Sequence, residues 1–306
     1  MIRNFKEMEE YVLKAGNKKI VALANAQDDV TLAALIEAKK KGVAEDILIG
    51  DSAKIAEILT KLGEDPADHT IIECETERPS ADLACSMVKE GKADIPMKGL
   101  MQTSNFMRAI LNKEMGFFPA GSLLSQATVL QDDEHDRMVV ITDCAVNISP
   151  NVDEKEKITK NAIALAHQLG IEKPNIAFLS AVEYVNPKIP STVDAAELVK
   201  RHSEGAFPGS GYAAGPLALD NVVSKEAAEH KGIHSPVCGD ADIIVVPDLC
   251  SGNIFSKALN FYAHTESSGT LGGADIPVIM TSRTDTPKDK YYAILTAVFQ
   301  SIRSKE

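Results

Sequence analysis

This chain of 306 residues contains no tryptophan, and aromatic residues make up only 5% of it. A core of that composition has to be mostly aliphatic, as in α/β sheets. Cysteine is sparse as well. The five present, Cys74, Cys85, Cys144, Cys238 and Cys250, include no CxxC pair and form no even framework. They fit reduced thiols rather than a disulfide scaffold. No apolar run approaches membrane-spanning length, and residues 1–10 are too charged for a signal peptide. The expectation is a cytoplasmic protein with no membrane partner. Positive charge is in deficit too, with 32 Lys and Arg against 44 Asp and Glu and a formal net charge of −12. A polyanion is repelled at long range by such a field, which argues against nucleic acid as a partner.

What is present is enough apolar material for sizeable cores, 44% of residues, spread over a length that exceeds one core and calls for two domains. Strands alternate with helices along the first third. Strands are expected at 19–26, 47–49, 70–72 and 95–98, and helices at 28–41, 52–62 and from Pro79 to about 90. Another helix carries Arg108. This repeated β-then-α order implies parallel strands with right-handed crossovers. From 127 the pattern becomes strand-rich, with strands at 127–130 and 138–142 before a long helix at 153–169. Strands at 176–179 and 243–246 and a helix at 193–202 follow.

The stretch Pro277-Val-Ile-Met-Thr-Ser282-Arg283-Thr-Asp-Thr-Pro287-Lys-Asp289 sets a hydroxyl, a permanent cation and a carboxylate at the end of one apolar strand. Pro287 begins a helix, and Asp289 lies in its first turn. Arginine offers a planar fork for phosphate, serine can donate to a developing oxyanion, and a carboxylate can accept a proton. The same residues also fit a plain helix start, with Asp289 favouring the N-terminus and Ser282 serving the turn. Upstream, the buried strand at 243–246 ends at Pro247-Asp248. A helix from about 251 then places Gly252 and Asn253 in its first turn, where free N–H groups can receive an anion. An ordinary strand-to-helix connection has the same form.

Together GDADIIVVPDLCSGNIFSKAL and VIMTSRTDTPKD resemble the phosphate acetyltransferase and phosphate butyryltransferase family. ITDCAVNISP, with Asp143, Cys144 and Asn147, is similar to its central strand and loop. AAGPLALDNVVSKEAA resembles its Gly-Pro-Leu segment ahead of an amphipathic helix. DIPMKGLMQTSNFMRAIL, with Lys98, Thr103, Ser104 and Arg108, resembles its first-domain segment. Ala109 stands where the acetyl-specific pattern has proline, so the chain looks more like the butyryl branch. The resemblance implies two α/β domains with mostly parallel sheets, like isocitrate and isopropylmalate dehydrogenases. A second domain, 131–269, is inserted into a first formed by 1–130 and 270–306, with the return near 269–273 and the active site in the interdomain cleft. It implies reversible acyl transfer between acyl-CoA and inorganic phosphate, giving acyl phosphate and CoA, with the acetyl enzyme as the alternative. Ser282, Arg283 and Asp289 would be catalytic, as oxyanion donor, phosphoryl clamp and base for the CoA thiol. Lys98, Thr103, Ser104, Arg108, Ser125, Asn147, Gly252 and Asn253 would bind substrate. No metal and no permanently bound cofactor is implied, coenzyme A being a substrate, and a homodimer or larger homo-oligomer is expected.

Other patterns carry less. Gly209-Ser-Gly211-Tyr-Ala-Ala-Gly215 looks like a dinucleotide fingerprint, but its third glycine is late and no strand precedes it, so a flexible loop is expected. His230 and His234 straddle the helix breaker Lys231-Gly232 and are expected at a solvated helix end rather than on a metal. Asp132-Asp-Glu-His-Asp136 reads as an acidic hairpin turn. Cys144 has no histidine beside it in sequence and is expected to pack. Two rival functions remain. A decarboxylating dehydrogenase would need a dinucleotide loop and an aspartate cluster, neither of which is found. A catalytically idle CoA-sensing domain would bind CoA without turnover.

Overall fold

The computed structural model describes residues 1–304, and the chain folds into two compact units. One comprises Phe5–Gly121 and the chain from Ser268 on, the other Met1–Asn4 and Ser122–Ser267. In the first unit the order is α1 (Phe5–Ala15), β1 (Lys19–Ala24), α2 (Asp29–Lys40), β2 (Ala44–Gly50), α3 (Ser52–Lys61), β3 (Thr70–Glu73), α4 (Glu77–Lys89), β4 (Ile95–Lys98) and α5 (Thr103–Ile110). Its sheet runs β3-β2-β1-β4, all parallel, as the alternating pattern predicts. β1, β2 and β4 are almost wholly buried, as parallel strands covered by helices are, whereas the edge strand β3 exposes Thr70 and Glu73.

Three local features fix the carboxyl end of this sheet. Asp28 caps α2 by accepting from Thr31 N at 2.9 Å. Asn25 leaves β1 with φ 55°, and its side-chain amide donates to the Leu100 carbonyl. Gly99 follows β4 where a Cβ would sit 2.4 Å from the Asn25 carbonyl oxygen, so only glycine lets the two chain segments approach this closely.

The second unit contains β5 (Ser125–Asp132), β6 (Arg137–Thr142), α6 (Val152–Gln168), β7 (Ile176–Leu179), α7 (Pro190–Ser203), β8 (Ala213–Leu217), α8 (Leu219–Val223), α9 (Lys225–His230), β9 (Ile243–Val245) and α10 (Leu249–Phe261). Its strands run β5-β6-β9-β7-β8, antiparallel only between β5 and β6. The acidic stretch at 132–136 is the turn of that hairpin. Val139, Ile141, Ala177, Leu217, Val222 and Ile244 form the core on one face, with Phe255 and Leu259 packed on it. Two expectations are corrected here. The glycine-rich loop ends in a strand, β8, whose Ala213 and Ala214 pair with Ile176 and Ala177. The amphipathic helix after it is two, because Ser224 leaves the first and caps the second through Ala227 N at 3.2 Å.

β10 (Ser267–Gly272) begins where the second unit ends, and the chain finishes in α11 (Pro287–Arg303). Twelve of its residues are buried, far more than one stripe, because it packs on both α1 and α2. Tyr292 stacks on Phe5 with ring centroids 4.0 Å apart. The apolar run at 277–281 makes only a single parallel bridge, Met97 to Ile279, rather than the full strand expected.

Candidate active site

That bridge positions the Ser282 segment. Ile279 N donates to Pro96 O at 3.0 Å and Lys98 N to Ile279 O at 2.9 Å, so the end of β4 and residues 281–283 lie side by side. After the bridge the chain turns sharply. Ser282 N donates to Asp285 Oδ2 at 2.7 Å, and the Ser282 hydroxyl lies 3.1 Å from that of Thr284. Both Ser282 and Arg283 are exposed. Arg283 makes no hydrogen bond or ion pair with any described residue, leaving its guanidinium fork free for an oxyanion.

Asp289 is a capping residue as well as a candidate base. Thr286 and Asp289 form a reciprocal box: Thr286 N donates to Asp289 Oδ2 at 3.0 Å, and Asp289 N to Thr286 Oγ1 at 3.1 Å. The Thr286 hydroxyl also donates to Oδ2, at 2.7 Å. Oδ1 has no hydrogen-bond partner among the described residues, so one carboxylate oxygen holds the helix and the other stays open.

Beneath the turn lie two buried ammonium groups. Lys98, 4% exposed, points its Nζ at the carbonyls of Gly99 and Thr281, at 3.4 and 3.5 Å. Lys290, 3% exposed, donates to Ser282 O at 2.8 Å and Thr281 Oγ1 at 3.2 Å. Burial lowers the pKa of both. For Lys98 the charges of Lys290 and Arg283 push further down, against Asp28 and Asp285. Glu77 lies in the same field. Its carboxylate accepts from Gln102 N at 3.0 Å and the Asn105 amide at 2.9 Å, and these bonds hold it below the usual carboxylate range, helped by Arg283 and Lys98. Thr103 and Ser104 are exposed at the start of α5, and Arg108 is exposed in its last turn.

The other expected residues gather in the second unit around the loop after β6. Asp143 is buried and accepts from the backbone N–H of Ala145, Val146 and Asn147 and from the Asn147 amide at 2.6 Å. Asn147 also donates to Leu124 O, so it serves the loop it stands in. Asn253 reaches Cys144 O at 3.4 Å from α10, which starts two residues earlier than expected because Asp248 caps it through Ser251 N; the expected free N–H at Gly252 is therefore corrected, since it donates to Asp248 O at 3.0 Å within the helix. A Cβ on Gly252 would lie 2.6 Å from Asp143 O, so glycine permits α10 to lie against this loop. Ser125 is buried and bonded to Asn161 at 2.9 Å. Burial pushes the Cys144 thiol up to about 12, which suits packing and disfavours a thiolate nucleophile.

Sequence reasoning passed over Lys290 and Glu77. Lys290 carried no distinguishing signal, since Lys288 stands in the same first turn and is exposed. Glu77 carried none, because its role depends on a backbone N–H twenty-five residues away. Among the described residues no three His, Cys, Asp or Glu side chains cluster as metal ligands, and no helix is long and apolar enough to cross a membrane.

A family model described as phosphate acetyl/butaryl transferase matches residues 77–298. The phosphate butyryltransferase of Clostridium acetobutylicum is 41% identical over 297 residues, covering 97% of this chain and 98% of that one. The phosphate acetyltransferase of Thermotoga maritima is 38% identical over 285 residues, 93% of this chain and 96% of the other. Among solved structures, a branched-chain phosphotransacylase from Enterococcus faecalis V583 matches with TM-score 0.78 and 32% identity, over 92% of this chain and 99% of that one. A 4-hydroxythreonine-4-phosphate dehydrogenase from Klebsiella pneumoniae shares the fold at TM-score 0.53 and 14% identity, over 94% and 100% of the two chains. The dehydrogenase-like α/β architecture expected from sequence is borne out.

Proposed function

The chain belongs to the phosphate acetyl/butyryl transferase family, and from that premise we propose that it transfers a short acyl group reversibly between coenzyme A and inorganic phosphate, with butyryl preferred. The observation that carries this reading is the near end-to-end match to a phosphate butyryltransferase. The site supports it with an unpaired Arg283 beside an exposed Ser282, above two buried ammonium groups, in a chain of formal net charge −12. A local positive field of this kind is what anionic substrates need in order to approach.

Toward acyl phosphate, a phosphate oxygen attacks the thioester carbonyl carbon, the C–S bond breaks, and the thiolate leaves with the electron pair. In the reverse direction Asp289, through its open Oδ1, takes the proton of the CoA thiol. Sulfur attacks the carbonyl carbon of the acyl phosphate, and the C–O bond breaks with its electrons going to phosphate. Arg283 clamps the phosphoryl oxygens, and Ser282 donates to the tetrahedral oxyanion. Lys98, Thr103, Ser104 and Arg108 are the further substrate-binding residues proposed in the first unit, and Ser125, Asn147, Gly252 and Asn253 those proposed in the second. Burial and a raised thiol pKa disfavour Cys144 as an acyl carrier, which supports direct transfer in the proposed mechanism. Acetyl transfer is the second reading, favoured by the 38% identity to a phosphate acetyltransferase.

The product tests the proposal. Butyryl-CoA and phosphate incubated with the protein and then trapped with hydroxylamine should give butyryl hydroxamate above the slow no-enzyme background of the thioester only when phosphate is present. Hydroxamate at the no-enzyme level, with CoA still bound, would replace the transferase with a CoA-binding domain.

A further inference from the structure

Four lysines are buried in the described chain: Lys19, Lys98, Lys155 and Lys290. Two have carboxylate partners, Lys19 with Asp94 at 3.5 Å and Lys155 with Asp194 at 2.6 Å. A buried charge without a partner is costly, so such pairing is the rule. Lys98 and Lys290 break it. Neither has a carboxylate within ion-pair distance among the described residues, and their ammonium groups reach only the Gly99, Thr281 and Ser282 carbonyls and the Thr281 hydroxyl. The nearby carboxylates are occupied elsewhere, Asp28 on the Thr31 N–H and Asp285 on the Ser282 N–H. Two like charges are thus held together under an exposed turn that carries a hydroxyl and an unpaired guanidinium.

We propose that Lys290 is a positioning residue for the phosphate group, holding the Ser282 carbonyl and Thr281 hydroxyl from below and, with Lys98, leaving a buried positive charge that a substrate oxyanion balances. The identity of that oxyanion as phosphate rests on the transferase reading. Lys290 fixes the direction in which Ser282 and Arg283 face, because its 2.8 Å bond is to the carbonyl of the peptide joining them.

Lys290→Met, Lys290→Arg, Lys98→Met and, as a control, Lys155→Met separate this from a structural role. Two readouts are needed: KM for phosphate against KM for butyryl-CoA, and the rise in Tm caused by inorganic phosphate, which requires no turnover. In Lys290→Met the phosphate KM should rise roughly tenfold or more, as for a lost charge-assisted contact, with the butyryl-CoA KM nearly unchanged. The phosphate-induced Tm rise should disappear, and Lys290→Arg should restore part of both. Lys98→Met should act on phosphate in the same way, which keeps the test open if Lys290→Met fails to fold. Lys155→Met should lower Tm without a phosphate-specific effect. Equal rises in both KM values with a lowered ligand-free Tm, or a phosphate-induced Tm rise equal to wild type in the lysine variants, would overturn the role of Lys290. A wild type that is stabilised by phosphate yet turns nothing over would instead remove the transferase reading and leave the anion site standing.

Discussion

Asp289 closes a capping box and, in the proposed mechanism, also serves as the base, and substitutions can separate the two. Oδ2 closes the capping box with Thr286 while Oδ1 stays open. Asn at this position keeps an oxygen for the Thr286 N–H and loses the base. Asp289→Asn is therefore expected to keep Tm close to wild type and to lower turnover sharply. Asp289→Ala should lose the cap as well, at about 1 kcal/mol. Activity that falls only in step with Tm across both variants would leave Asp289 as a cap alone. Ser282, Arg283 and Asp289 are legible in the sequence because their side chains differ so strongly from the apolar strand and helix they join. Lys290 is not, since the sequence shows a lysine next to an aspartate and gives no hint that it turns inward to a carbonyl eight residues back.

At the level of elements, helix starts place the site, and each is set by a small residue or a cap. Asp248 starts α10 and Thr286 starts α11, each beside a segment that holds candidate residues, and Asp28, which starts α2, lies in the field of Lys98. Gly252 shows how tight the α10 contact is: an added Cβ would meet Asp143 O at 2.6 Å and Val246 Cγ2 at 2.8 Å. Gly252→Ala should cost ~1–3 kcal/mol through forced displacement of the loop after β6. Urea unfolding of the variant checks it, and wild-type stability would mean that the contact is soft. Strand and helix alternation is readable over most of the first unit because its period is strong and its crossovers short. The shortfalls have physical causes. Residues 277–281 look like a strand, yet hydrogen-bond to β4 at only one bridge. The strand β8 contains a glycine and a proline that mask it, Gly215 and Pro216, and it forms because β7 offers a free edge. The helix α1 goes unread although Phe5, Met8 and Val12 stand at helical spacing, and that stripe packs against α11.

Across the whole molecule, an acidic chain meets two anionic substrates through a local concentration of positive charge. Burial leaves Lys98 and Lys290 beside Arg283, while most surface lysines and arginines are spent in exposed pairs that contribute little. Acyl preference is a finer matter. Butyryl exceeds acetyl by two methylenes, worth about 1.6 kcal/mol when both are buried, or roughly 15-fold in specificity. Whole motifs make the family visible in the sequence, whereas chain length depends on pocket shape, which no motif spells out. The most direct test of the central claim is the rate of CoA release from butyryl-CoA and acetyl-CoA, followed with a thiol reagent, with and without inorganic phosphate. Release should require phosphate and run roughly tenfold faster with butyryl-CoA. Release that proceeds equally without phosphate, or none from either thioester, would contradict the claim.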